Sequence, residues 1–208
     1  VGVAVAGYLA SLLIGRLEPA NRGARFPVNP AAQTVRDLGA LISHRPLLLA
    51  SLGSAYFWSL GVLAQLNVDK FARPELVTDQ EYVGYLLALL TLGIGLGAIV
   101  AGVWAAGKIE LGLIPIGAAG IAFAAMMLYT VPQGVGTPAS SAYWWAGFWL
   151  FALGCAAGLY DIPLLAFLQD RSPDASRGRI LAANNLLAYT GMLSMSGLFW
   201  ILAGYWGL

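Results

Sequence analysis

The 208-residue chain is 59% hydrophobic and only 10% charged, against roughly 25% charged residues in an ordinary soluble domain, and so few charges cannot clothe a water-facing surface. A net charge of +1 gives no electrostatic ground for a nucleic-acid partner. The single cysteine, Cys155, forbids an internal disulfide, and no Cys/His cluster has metal-ligand spacing. The 26 glycines and 7 tryptophans suit membrane helices, where Gly is frequent and Trp anchors at the two interfaces.

A spanning helix needs about 20 apolar residues to cross a hydrocarbon core of about 30 Å. That window predicts spans at Val1 to Gly15, short and read as cut by the start of the chain, then Pro46 to Val68, Tyr82 to Ala106, Leu111 to Thr130, Tyr143 to Leu168 and Ile180 to Trp206. The chain opens at Val1 inside an apolar run, with no charged n-region and hence no signal peptide. The long loop after the first span carries Arg16, Arg22, Arg25, Arg36 and Arg45; the turn Gly107 to Glu110 carries Lys108; the loop Gln169 to Arg179 carries Arg171, Arg177 and Arg179. Lys and Arg collect on the cytoplasmic side, so these loops are expected inside and residue 1 outside. Tyr82, Tyr85, Tyr143, Trp144, Trp145, Tyr205 and Trp206 fall at the opposite ends, as an interfacial belt would. Labelling of single cysteines in a Cys155→Ala background checks this: a cysteine at Thr137 should react with an impermeant thiol reagent from outside, and reaction only from the cytoplasm would reverse the assignment.

In the long loop, Pro30 to Ser43 sets Val35, Leu38 and Ile42 on one helical face, the pattern of a helix lying in the cytoplasmic interface. His44 follows as a solvated loop residue. A long inner loop followed by short-looped antiparallel helices is the order in which the second half of a twelve-helix transporter begins: residues 1–15 as the truncated helix six, 16–45 as the loop between halves, and 46–208 as helices seven to eleven. Such folds enclose their substrate near the bilayer midplane between two six-helix halves. The expected fold class is therefore an all-α transmembrane bundle, a fragment whose N-terminal half is its missing partner.

Asp161 is the one acid expected inside a span. A carboxylate in hydrocarbon costs upward of about 2.5 kcal/mol, so it must face a cavity or a partner. Pro163 lies two residues on and leaves the carbonyl of Leu159 without its helical donor, and an acid beside a bend resembles the broken-helix sites of transporters. Two roles stay open for Asp161: a direct contact to substrate or proton, or an ion pair with a loop arginine that locks the closed state. Asn184 and Asn185 lie five and six residues past Arg179, at a depth similar to that of Asp161, and consecutive positions about 100° apart let at most one face a cavity squarely. Ser51 and Ser54 enter the same layer from the helix Pro46 to Val68; Gln65 and Asn67 sit at the outer interface. The binding or gating set is Asp161, Asn184, Asn185, Ser54 and Tyr160, with Lys108, Arg177 and Arg179 as cytoplasmic basic or gating residues. The pairs Gly93/Gly97 and Gly154/Gly158 fit the small-xxx-small pattern of close helix packing, with Cys155 on that packing face. No phosphate loop and no nucleophile with a base at workable spacing appears, so no catalytic residue, metal or cofactor is expected.

The stretch Tyr160 to Asn185, Tyr-Asp-Ile-Pro-Leu-Leu-Ala-Phe-Leu-Gln-Asp-Arg-Ser-Pro-Asp-Ala-Ser-Arg-Gly-Arg-Ile-Leu-Ala-Ala-Asn-Asn, resembles the major facilitator superfamily and, within it, the lysophospholipid transporter group, whose members stand alone or are fused to a glycerophospholipid acyltransferase and an acyl-carrier-protein ligase. The turn Gly107-Lys-Ile-Glu-Leu-Gly-Leu-Ile-Pro115 resembles that group too, at the place of the superfamily's Gly-rich, Asp/Arg-bearing loop. Here Ala106 stands four residues after Gly102, where that loop often has an acid, a departure from the superfamily's charge relay. The resemblance implies movement of lysophospholipid, chiefly lysophosphatidylethanolamine, across a bacterial inner membrane for re-acylation, with membrane lipids and a fused acyltransferase as partners. It places Asp161, Asn184 and Asn185 in a polar inner layer, and Lys108, Arg177 and Arg179 in cytoplasmic loops. The competing readings are a proton-coupled transporter of another small solute or drug, and the membrane domain of an acyltransferase fusion enzyme.

Overall fold

The computed structural model describes residues 2–13, 29–71, 80–131 and 138–206. It divides into two units, residues 1–33 and 34–208. The first contains α1, Gly2–Leu12, 11 residues long, along which Val5, Tyr8, Leu9 and Leu12 are exposed. It also contains the start of α2, Pro30–Ser43, where the side chain of Asn29 accepts from the Ala32 amide at 3.1 Å and Pro30 occupies the first helical position, which needs no amide donor. The arginines at 16, 22, 25 and 73, and the residues 132–137 with their labelling position Thr137, lie outside the described residues.

The second unit is a helix bundle: the rest of α2, then α3 (Arg45–Phe71), α4 (Gln80–Ala105), α5 (Leu113–Tyr129), α6 (Ser141–Arg171) and α7 (Arg177–Trp206). No strand occurs among the described residues. Segments within α3, α4, α6 and α7 are long and apolar enough to cross a bilayer; α5 is apolar throughout at 17 residues, about 26 Å at 1.5 Å per residue. Each agrees with a span expected from hydropathy, and the ends differ by a few residues because helices run on past the hydrocarbon into the interface.

Local chemistry fixes the ends. Ser140 caps α6 by accepting from the Tyr143 amide at 3.2 Å, and the Trp144 indole donates to the Pro138 carbonyl at 2.9 Å. After α4 the chain reverses through Ala106 and Gly107 at φ +44° and +80°, a left-handed pair that closes a helix at low cost when glycine supplies one of the two. His44 alone separates α2 from α3, and it is exposed.

Two clusters close the ends of the bundle. At one, Leu41 of α2 joins Leu47 and Ala50 of α3, Leu164 and Leu168 of α6, and Ile180 and Ala183 of α7. Arg36, Arg45, Arg171, Arg177 and Arg179 flank these segments, so the basic residues that hydropathy put on one side gather at one end of the fold. At the other, Leu86, Val131, Tyr143, Ala146 and Leu150 pack together. In α2, Leu41 is fully enclosed against the bundle, while Val35 and Ile42 of the expected interfacial stripe are exposed. One expectation changes here. Tyr143 is 1% exposed and donates to the Tyr82 carbonyl at 2.8 Å, making it an interhelical strut rather than a belt residue; Tyr85, Trp144 and Trp145 keep the outward position.

Between the clusters, α6 packs along α4 and α5, and α3 pairs with α7. The glycines explain the first contact. A methyl group on Gly93 would run into the Phe151 carbonyl, on Gly97 into the Cys155 carbonyl, on Gly154 into the Leu90 carbonyl, and on Gly158 into the backbone of Ala98 and Ile94. The two small-xxx-small motifs therefore face each other, backbone against backbone, as dispersion-driven packing in lipid requires. Gly117 and Gly120 let α5 approach α6 in the same way, and Gly191 lets α7 lie against Ser59 of α3.

Candidate functional site

Where α3, α6 and α7 meet, a cavity of about 240 Å³ is lined by Ser54 and Trp58, by Asp161 and Leu165, and by Asn184, Asn185, Ala188, Tyr189 and Met192. Three helices thus bring four of the expected residues, Asp161, Asn184, Asn185 and Ser54, to one space. Both asparagines border it, in unequal ways: Asn184 is 4% exposed, while Asn185 is exposed. The cavity falls on the seam between the α3/α7 pair and α6.

Asp161 lies ten residues before the end of α6 at Arg171, about 15 Å inward. Its hydrogen-bond partner is the Ser54 hydroxyl, donating to Oδ1 at 3.4 Å. No basic side chain among the described residues pairs with it. Arg171 lies 3.9 Å from Asp170, Arg177 contacts Asp174 at 2.6 Å, and Arg179 contacts Asp37 of α2 at 2.6 Å. Of the two roles left open by the sequence, an ion pair with Arg171, Arg177 or Arg179 is thus not made in this conformation. α6 also continues as helix through Pro163, which is buried, so the proline frees the Leu159 carbonyl without breaking the helix.

Tyr160 does not line the cavity. Its hydroxyl donates to the Gly53 carbonyl at 3.3 Å and its ring stacks on Phe57 at 5.4 Å, so it braces α6 against α3 one residue from Asp161. The basic set divides as well. Lys108 and Arg177 border a second hollow of about 640 Å³ with Gln169 and Asp170 at the end where α4, α6 and α7 meet. Arg177 also donates to the Gln169 carbonyl at 2.8 Å. Arg179 instead ties α7 to α2 through Asp37, whose side chain is 13% exposed against 44% for the arginine. An ion pair of this partly exposed kind stabilises by about 1 kcal/mol or less. Asp37→Asn should therefore leave thermal stability nearly unchanged, and a loss above about 2 kcal/mol in a melting experiment would show a larger structural role.

Trp58, Leu165, Ala188, Tyr189 and Met192 were not singled out by the sequence. A signal was there: Trp58 stands four residues after Ser54, Leu165 four after Asp161, Ala188 four after Asn184 and Tyr189 four after Asn185, the spacing that shares a helix face.

The profile described as Major Facilitator Superfamily matches residues 1–196. The chain belongs to that superfamily. No curated protein and no solved structure matches it. The superfamily match agrees with the all-α bundle and its apolar helices: the chain is a membrane domain of a secondary transporter. Among major facilitator chains, as in transporters built from repeats generally, the binding site lies near the midplane, and in this chain the half-buried acid and the two asparagines are found on the helices that border a cavity.

Proposed function

We propose that this major facilitator domain moves lysophospholipid, of the lysophosphatidylethanolamine kind, across a bacterial inner membrane, delivering it for re-acylation. The observation that carries the reading is the mixed character of the cavity. Asp161 offers a negative charge for a head-group ammonium, Asn184, Asn185 and Ser54 offer amide and hydroxyl groups for a phosphate or glycerol, and Trp58, Leu165, Ala188 and Met192 offer an apolar wall for the start of an acyl chain. The resemblance of Tyr160 to Asn185 to the lysophospholipid group supports the same substrate. Residues 46–208 then act as helices seven to eleven, with residues 16–45 as the loop between halves; Lys108 stands at the cytoplasmic mouth, where its charge attracts the phosphate of arriving lipid, while Arg177 and Arg179 brace that end through Asp174 and Asp37. The test is uptake of labelled lysophosphatidylethanolamine into spheroplasts that express the full-length protein, with lysophosphatidylcholine and a soluble amine as competitors. Lysolipid-specific competition is expected; competition by the soluble amine alone would move the assignment to a small-solute transporter.

That second reading, a proton-coupled transporter of another solute, has one observation in its favour: a half-buried carboxylate with no cationic partner among the described residues is a group that can exchange a proton during transport.

A further inference from the structure

In and beside the cavity lies an unbalanced set of oxygens. Asn184 lines the cavity at 4% exposure, and its carbonyl oxygen Oδ1 is buried without a hydrogen-bond partner. Ser51, one turn before Ser54 on α3, is fully buried and its Oγ also lacks a partner. Asp161 adds a carboxylate whose contact to Ser54 spans 3.4 Å, longer than the about 2.5–3.0 Å of a good O–H···O bond. A buried acceptor left unsatisfied costs about 1–3 kcal/mol, and a carboxylate in a span needs a counter-charge. Arg171, Arg177 and Arg179, the loop arginines nearest in sequence, are engaged with Asp170, Asp174 and Asp37. A water molecule would satisfy the hydrogen bonds and leave the charge.

We propose that Asp161, Ser54 and Asn184 form an oxygen-lined site for a small monovalent cation, Na⁺ by size, and that this ion is coupled to transport through the cavity. The ligand types are right for a hard cation: carboxylate, amide carbonyl and hydroxyl oxygens. So is the spacing. Ca²⁺, nearly equal to Na⁺ in radius, takes oxygens at about 2.3–2.6 Å, and two oxygens at about 2.4 Å on a right angle about the ion stand about 3.4 Å apart, the separation of Ser54 Oγ from Asp161 Oδ1. One carboxylate with neutral oxygens matches a single positive charge and leaves no net charge in the membrane, whereas a divalent ion would leave an excess. Because the ligands come from α3, α6 and α7, binding draws together the two sides of the seam on which the cavity lies. The coupling half of the proposal rests on the cavity being the transport site; the binding half does not.

The experiment uses the full-length protein in detergent without lysophospholipid, at constant alkaline pH and constant ionic strength, replacing choline chloride by NaCl. Tryptophan emission reads the cavity, since Trp58 borders it, and the thermal midpoint reads the stabilisation that any ligand of the folded state gives. A saturable response to Na⁺ and not to choline or K⁺ is expected. The half-saturating concentration should rise about tenfold or more in Asp161→Asn and in Asn184→Ala, since loss even of outer partners of a metal costs about 10–100-fold, and severalfold in Ser54→Ala. A wild-type response no greater to Na⁺ than to choline overturns the proposal, as does wild-type affinity in a folded Asp161→Asn protein. Acidification that produces the same change without Na⁺ also overturns it, assigning a proton to the acid. Uptake that fails for lysophospholipid while the Na⁺ response persists would refute the substrate reading and leave the ion site standing; uptake of lysophospholipid indifferent to Na⁺ would refute the coupling.

Discussion

Asp161→Asn in the full-length protein should lower the initial rate of lysophospholipid uptake at least tenfold while leaving expression and membrane insertion intact. Tenfold corresponds to about 1.4 kcal/mol, a modest demand on a half-buried carboxylate that faces a polar cavity and lacks a cationic partner among the described residues. Asparagine keeps the shape and one acceptor, and it sheds the cost of a charge in the span, so the fold gains rather than loses. Neutralising Arg177 or Arg179 should not reproduce the loss, because those guanidinium groups meet Asp174 and Asp37 and not Asp161. The measurement is uptake of labelled lysophosphatidylethanolamine, normalised to surface expression. Full activity in a well-expressed Asp161→Asn protein would remove the acid from the transport cycle. Loss on neutralising Arg177 or Arg179 alone would instead restore the gating ion pair in some other conformation.

The largest effect on stability is expected at the crossing of α4 and α6. Gly97→Leu places a side chain where the Cys155 backbone already lies, and backbone cannot move aside as a flexible side chain can. Inserting atoms into a packed contact costs typically 1–3 kcal/mol, and about 3 kcal/mol is the expected figure here because the helices must part along the whole glycine seam. Gly95→Leu is the control: that position is exposed, with nothing near a new Cβ, so its stability should change by less than about 0.5 kcal/mol. The readouts are the monodisperse fraction after detergent extraction and the thermal midpoint. Equal behaviour of the two variants would mean that the glycines are not what holds α4 to α6.

Much of this architecture could be read in advance, for physical reasons that differ by element. Spans are legible because hydrocarbon demands an unbroken apolar run, and the ends are legible because charge is excluded from it; α3 to α7 follow from that rule alone. The facing glycine motifs were legible because lipid offers few other ways to hold helices together. The docking of α2 through Leu41 was not, since a short amphipathic helix reports that it has an apolar face but not which residue a neighbouring helix will cover. Tyr143 misled for a related reason: an aromatic at a span end suits both a lipid interface and a packed helix end, and only the Tyr82 carbonyl decides between them. The polar half of the cavity was found because polar atoms in a span are expensive and therefore conspicuous. Its apolar half was hidden, because Leu165 or Met192 looks like any other lipid-facing residue until the facing helix is known.

The glycine seam and the cavity seam also differ mechanically. α4, α5 and α6 approach one another backbone to backbone at Gly93, Gly97, Gly117, Gly154 and Gly158, and so form a stiff plate. α3 and α7 are joined to each other through Ser59 and Gly191 and meet α6 over a smaller area, largely through side chains such as Tyr160, Leu164 and Phe57. Asp37 grips the first turn of α7 at Arg179, five residues before Asn184, while Asp161 belongs to the plate. In a transport cycle, distances between spin labels on α7 and α3 should therefore hold constant while those from α7 to α4 change.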